Sequence, residues 1–172
     1  MQSRRELQQS KKSRSFSKSI TNTLIVILIL LVIGVAFFFI SNQPRAAARR
    51  QAVGIAKKYA KLKDPGQFYI YNRESTYYTI AGKNSKNQDI LVIVPQHSGE
   101  VRVLKQSSGL TAKEAIAVVK KSKKPSKILK AAPGVFNNKV VWEVTYQNSK
   151  GNLCYDLINF KSGKIIQEIN NL

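Results

Sequence analysis

The sequence predicts an α+β chain: a single N-terminal transmembrane helix followed by two tandem helix-plus-antiparallel-sheet units. Three observations carry that prediction. Residues 20–40 read ITNTLIVILILLVIGVAFFFI without a single charge. The stretches NSKNQDILVIVPQHSG at 84–99 and NSKGNLCYDLINFKSG at 148–163 share one frame at an offset of 64 residues. Each copy also follows a segment whose alanines and branched apolar residues recur at helical spacing.

The span comes first. Twenty-one helical residues rise about 31 Å at roughly 1.5 Å each, enough to cross the hydrocarbon core of a bilayer. A soluble helix rarely stays apolar on every face for that length. The basic residues before it imitate a secretory signal, but the apolar run is long for one and Phe37-Phe38-Phe39-Ile40 offers no small-residue cleavage site. No cysteine stands directly after the run to take a lipid. An uncleaved signal anchor fits best. The tail carries Arg4, Arg5, Lys11, Lys12, Arg14 and Lys18 against Glu6, while the far flank carries Arg45, Arg49, Arg50, Lys57 and Lys58. These counts are nearly balanced, but charge in a short tail weighs more than charge leading into a long domain. The tail is therefore expected inside, and the large C-terminal part outside.

The expected division is a basic cytoplasmic tail at 1–19, the span at 20–40, a first unit at 44–106 and a second at 108–172. A first helix is expected from near Pro44 to Leu62, with Ala48, Ala52, Ile55, Ala56, Tyr59 and Leu62 as its apolar stripe and Asp64-Pro65-Gly66 as its stop. Strands follow around Tyr77–Ile80, Ile90–Val94 and Val101–Leu104, punctuated by Asn-Ser-Lys-Asn and His-Ser-Gly turns. The second helix opens on Leu110-Thr111-Ala112-Lys113-Glu114, where Thr111 and Glu114 have capping-box spacing. Ala112, Ala115, Ile116 and Val119 form its stripe, and Pro125 closes it. Strands are then expected at Val140–Tyr146, Leu153–Ile158 and Ile165–Ile169. The two prolines lie 60 rather than 64 residues apart. That spacing implies a longer first hairpin in the second copy, with extra residues near Ala132-Pro133-Gly134 and Asn137-Asn138. Units of about this size bury little surface alone, so the two are expected to pack together.

The capped, alanine-rich helix at Leu110–Ile116 and the strand–turn–strand at Tyr155–Ile166 resemble PepSY-type domains. The whole layout of basic tail, single span and two small PepSY/cystatin-like units resembles the TseB-like (YpmB-type) cell wall elongation regulators of Gram-positive bacteria. That resemblance implies a surface-anchored protein acting through a transpeptidase, that is, a penicillin-binding protein of lateral wall synthesis. It brings no catalytic residues. The first unit departs from the PepSY pattern at Gly54 and at His97-Ser98-Gly99-Glu100.

Chemistry is sparse in the residues themselves. His97 is the only histidine and Cys154 the only cysteine, so there is neither a metal-ligand pattern nor an internal disulfide. The acids are scattered; a pairing of Glu143 with Asp156 through the fold stays open. No phosphate loop or nucleophile elbow is present. The reading is of a non-enzyme without a cofactor.

Charge and aromatic residues point instead to surfaces. Lysine and arginine outnumber the acids 29 to 9; the tail holds six and one, so the remainder carries 23 and 8, a net +15. Lys120, Lys121, Lys123, Lys124, Lys127 and Lys130 crowd the end of the second helix, as a solvated face or a patch for anionic partners. Arg45, Arg49, Arg50, Lys57 and Lys58 lie next to the span, where anionic lipid attracts them. Tyr69, Tyr71, Tyr77 and Tyr78 make a candidate docking surface or fill the space between sheet and helix. The expected partners are the membrane, through one helix, a wall synthesis protein, and anionic lipid or wall polymer, with nucleic acid disfavoured. Two rival readings are a surface binder of nucleic acid or anionic polymer, and a PepSY-like protease inhibitor by fold analogy alone.

Overall fold

The computed structural model describes the backbone of residues 4–170 and the side chains of residues 21–39 and 43–170. The basic side chains of the expected tail lie outside the described residues. The chain forms two compact units, Met1–Ala46 and Ala47–Leu172. Helix α1 spans Arg4–Ala60. In the first unit its apolar stretch is long and apolar enough to cross a membrane, and its described side chains are exposed.

The second unit holds two four-stranded antiparallel sheets, each strand paired with its chain neighbour. The first contains β1 (Leu62–Asn72), β2 (Thr76–Asn84), β3 (Asp89–Pro95) and β4 (Arg102–Lys105). After a 3-10 turn at Gln106–Ser108 come α2 (Ala112–Lys123), β5 (Lys127–Phe136), β6 (Lys139–Gln147), β7 (Leu153–Asn159) and β8 (Ile165–Ile169). The mixed helix-and-sheet architecture agrees with the fold class expected from the sequence.

Four local expectations are corrected. Pro44 lies inside α1 rather than opening a new helix; its missing N–H removes one donor from the i→i−4 ladder. The helix ends at Ala60 because Lys61 turns left-handed, with φ +50°. Asp64-Pro65-Gly66 therefore lies within β1, at register irregularities against β2 that accommodate a proline within a strand. The two prolines are thus not equivalent: Pro65 sits in a strand, whereas Pro125 lies between α2 and β5. The expected longer first hairpin disappears with that alignment. Ala132-Pro133-Gly134 is ordinary ladder in β5, and Asn137-Asn138, with φ +44° and +60°, is a tight two-residue turn.

On α1 the buried stripe is narrower than expected. Ala52 and Ala56, one turn apart, are fully buried against Ile80, Ile90, Val92 and Val94, with Val53 and Ile55 at the margin. Leu62 joins this core from β1, while Tyr59 faces solvent at 63% exposure. Two alanines on one face let the helix backbone approach the sheet closely.

The repeated Asn-Ser-Lys motif makes the same turn twice. Asn84 Oδ1 accepts from the Lys86 and Gln88 amides at 2.9 and 3.0 Å; Asn148 Oδ1 accepts from those of Lys150 and Asn152 at the same distances. The fourth position takes positive φ in both copies, Asn87 at +59° and Gly151 at +83°. The capping box also forms, Glu114 accepting from the Thr111 amide at 2.8 Å and Thr111 from that of Glu114 at 3.3 Å. These hydrogen bonds, the backbone one first, hold the Glu114 carboxyl below its usual range.

The sheets pack through β1, β2 and β5. Tyr71 is buried with Val141 and Leu157, and its ring lies directly over Gly134: a Cβ built there falls 2.2 Å from Tyr71 Cγ. Thr79 Oγ1 donates to the Pro133 carbonyl at 3.0 Å nearby. Replacing Gly134 by alanine is expected to destabilise the sheet pair by about 1–3 kcal/mol, since the ring or the strand must shift. A lower urea midpoint for the full chain in detergent micelles checks this.

Candidate interaction surfaces

The fold sorts the basic residues by what they meet. Lys120, Lys121, Lys124, Lys127 and Lys130 are exposed. They run from the last turn of α2 through its left-handed C-cap, Lys124, into β5. Lys123 is partly buried and paired with Glu168 of β8 at 2.6 Å. Among the residues near the span, Arg49 donates to the Gly66 carbonyl of β1 at 3.2 Å. Lys58 lies 5.8 Å from the centroid of the Tyr59 ring. Arg45, Arg50 and Lys57 are exposed.

The tyrosines divide differently. Tyr71 is 1% exposed, its hydroxyl has no partner among the described residues, and burial pushes its pKa up to about 12. It is an element of the sheet–sheet contact, and burial removes it from any docking face. Tyr69 meets Trp142 edge-on at 5.7 Å, Tyr77 lies 6.1 Å from Tyr71, and Tyr78 lies 5.9 Å from Phe68. Tyr69, Tyr77 and Tyr78 each keep a partly exposed side.

The carboxylates that the sequence left open do not meet. Val144 faces Asp156 and Glu143 faces Leu157 across the β6–β7 ladder, so strand alternation sends the two acids to opposite faces. Glu143 is buried and receives Arg73 Nε at 2.7 Å, while Arg73 Nη1 also donates to Gln167 at 3.3 Å. Sequence reading missed this pair, because its members stand 70 residues apart and neither lies in a motif. Among the described residues no group of three His, Cys, Asp or Glu side chains gathers for a metal.

Asp156 is fully buried on the α2 side of its sheet. Tyr146 donates its hydroxyl to Oδ1 at 3.3 Å, and Oδ2 has no partner among the described residues. Burial raises its pKa above the ordinary value; Lys123 opposes that rise, Glu168 adds to it, and the Tyr146 bond lowers it. A carboxyl whose pKa is raised by folding contributes stability at low pH and loses it as pH climbs. The loss begins near the unfolded value of about 4 and ends above the raised folded value. Asp156→Asn, which keeps the acceptor for Tyr146, is expected to remove this falling limb. Urea midpoints across that pH window should therefore diverge in favour of the variant, and parallel curves would contradict the assignment.

Known proteins share this arrangement. Residues 51–95, from the end of α1 through β3, match the cell wall elongation regulator TseB-like domain. Residues 109–168, from the α2 entry into β8, match the peptidase propeptide and YPEB (PepSY) domain. The chain thus resembles a TseB-like domain followed by a PepSY domain. It is 26% identical over 119 residues to the probable cell wall elongation regulator TseB of Bacillus subtilis (strain 168), covering 69% of this chain and 74% of that protein. The solved YpmB protein from Bacillus subtilis has the same fold, with a TM-score of 0.64 at 24% identity over 70% of this chain and 95% of that one. In the TseB-like part the match takes in Ala52 and Ala56 with the sheet they cover. In the PepSY part it takes in the capping box, Trp142 and the Asn148 turn.

Proposed function

We propose that this chain is a membrane-anchored, non-catalytic regulator of cell wall elongation, acting as an adaptor for a penicillin-binding protein. The observation that carries the reading is the TseB-like and PepSY tandem, with its likeness to a probable cell wall elongation regulator over 74% of that protein. The apolar helix supports anchoring. In this reading residues 1–19 stay cytoplasmic, 20–40 cross the membrane, and the units at 44–106 and 108–172 work outside it. The face for the partner is the set of exposed lysines from Lys120 to Lys130 with the open sides of Tyr69 and Tyr77; Tyr78, the next residue of β2, points to the α1 side of its sheet and is left out. Arg45, Arg50, Lys57 and Lys58 meet anionic headgroups.

Two experiments test this. Cys154 is buried, so Ser149→Cys is expected to react with a membrane-impermeant maleimide in intact cells while the parent chain stays silent. Labelling only after lysis would reverse the topology. In-cell crosslinking from Lys121 or Lys127 is expected to recover a penicillin-binding protein; its absence, under conditions that trap known synthase complexes, would remove the adaptor role.

The exposed lysines favour one second reading, retention of an anionic wall polymer. Such binding weakens linearly on a log–log salt plot. A flat salt response eliminates it.

A further inference from the structure

A cleft of about 530 Å3 lies away from the lysines and tyrosines above, and five consecutive residues, Glu100 to Leu104, form one wall of it. Successive side chains of a strand point to opposite sides, so a run of consecutive lining residues means that β4 turns its edge toward the cleft. β4 is the last strand of its sheet, hydrogen-bonded only to β3. Its outer edge therefore carries main-chain donors and acceptors without a ladder partner.

The opposite wall comes from the β5–β6 and β7–β8 turns and supplies Asn138, Lys139, Asn159 and Lys161. Arg102 closes the two walls on each other, donating to the Asn138 carbonyl at 2.8 Å and to its side-chain oxygen. The charges facing the cleft are Arg102, Lys139 and Lys161 against Glu100. Lys139 and Lys161 are exposed and have no ion-pair partner among the described residues. Val103, 47% exposed, adds an apolar side chain on the same edge.

From this juxtaposition we infer that the cleft binds an extended acidic polypeptide segment, which adds to β4 as a fifth strand with its carboxylates against Lys139 and Lys161. Main-chain pairing supplies affinity in such complexes, and the alternate side chains supply selectivity. The four residues of β4 offer about 13 Å of edge. An open strand edge presents carbonyl acceptors as well as amide donors, and a polyphosphate or polycarboxylate chain uses only the donors. A peptide uses both. The inference concerns the chemistry of a bound segment and stands whether or not its owner belongs to wall synthesis.

The test is fluorescence polarisation with the full chain in non-ionic detergent micelles and a fluorescein-labelled peptide of alternating glutamate and valine. Three comparators are the same peptide N-methylated at every second residue, the Lys139→Glu/Lys161→Glu variant, and polyphosphate. The parent peptide is expected to bind saturably. N-methylation and charge reversal are each expected to weaken it by about tenfold or more, equivalent to about 1.4 kcal/mol. Far-UV circular dichroism checks the variant's fold, and the N-methylated peptide decides the question on the unmodified protein. No saturable binding, or equal binding of the N-methylated peptide, overturns strand addition. Indifference to the charge reversal overturns the acidic preference. Polyphosphate binding tighter than the peptide and lost on the same reversal assigns the cleft to a polyanion and overturns the inference.

Discussion

Replacing Trp142 by alanine is expected to cost about 3–5 kcal/mol, the usual range for deleting a large buried aromatic side chain. Trp142 is 1% exposed and packs with Ala115 and Val119 of α2, with Tyr69 edge-on from the first sheet. Its Nε1 donates to the Leu110 carbonyl at 2.8 Å, just before the helix N-cap. Truncation therefore leaves a cavity, removes one of the two donors to the Leu110 carbonyl (Gln106 Nε2, at 3.0 Å, is the other) and loosens the entry to α2. A domain of ordinary stability has about 5–15 kcal/mol in total, so this one change removes a large share. Trp142→Phe keeps most of the packing and loses the indole bond, and should cost about 1 kcal/mol from that source. Denaturation followed by far-UV circular dichroism measures both, since Trp142 is the chain's only tryptophan.

The second large effect belongs to Arg73. Removing it strands the buried Glu143 carboxylate, a loss expected to reach about 3–5 kcal/mol as for other buried pairs broken on one side. Replacing both residues by apolar ones of similar size, Arg73→Met with Glu143→Leu, should restore most of that loss. Arg73 lies in the β1–β2 turn of one sheet and Glu143 in β6 of the other, so a double-mutant cycle reads the coupling between the two sheets directly. Additive single-mutant effects would mean that the pair does not hold the sheets together.

What the sequence revealed and what it hid follow from range. Asn84 and Asn148 bond to amides two and four residues on, and Thr111 to Glu114 three on; such chemistry is readable because both partners lie in one short window. The strands of β3, β6 and β7 are continuous or alternating apolar runs and were equally plain. The end of α1 was misread because Pro65-Gly66 looks like a helix stop, whereas the actual stop is the left-handed Lys61, a residue with no compositional signal. Contacts between the sheets were hidden altogether. Gly134 under Tyr71 and Arg73 on Glu143 join residues more than sixty positions apart, and nothing local marks either. The candidate surfaces divide on the same line: the lysines along α2 and β5 were legible as charge, but the cleft beside β4 appears only once β4 is known to be an edge.

Incorporation of a fluorescent D-amino acid into the lateral wall, compared between cells with and without this chain, tests the central claim most directly. The account predicts that loss of the chain changes side-wall incorporation while septal incorporation persists. Rescue should follow from the full chain and fail when residues 20–40 are replaced by a cleavable secretion signal, which releases the paired sheets from the membrane. Unchanged side-wall incorporation, or full rescue by the released form, would contradict a membrane-anchored regulator of elongation.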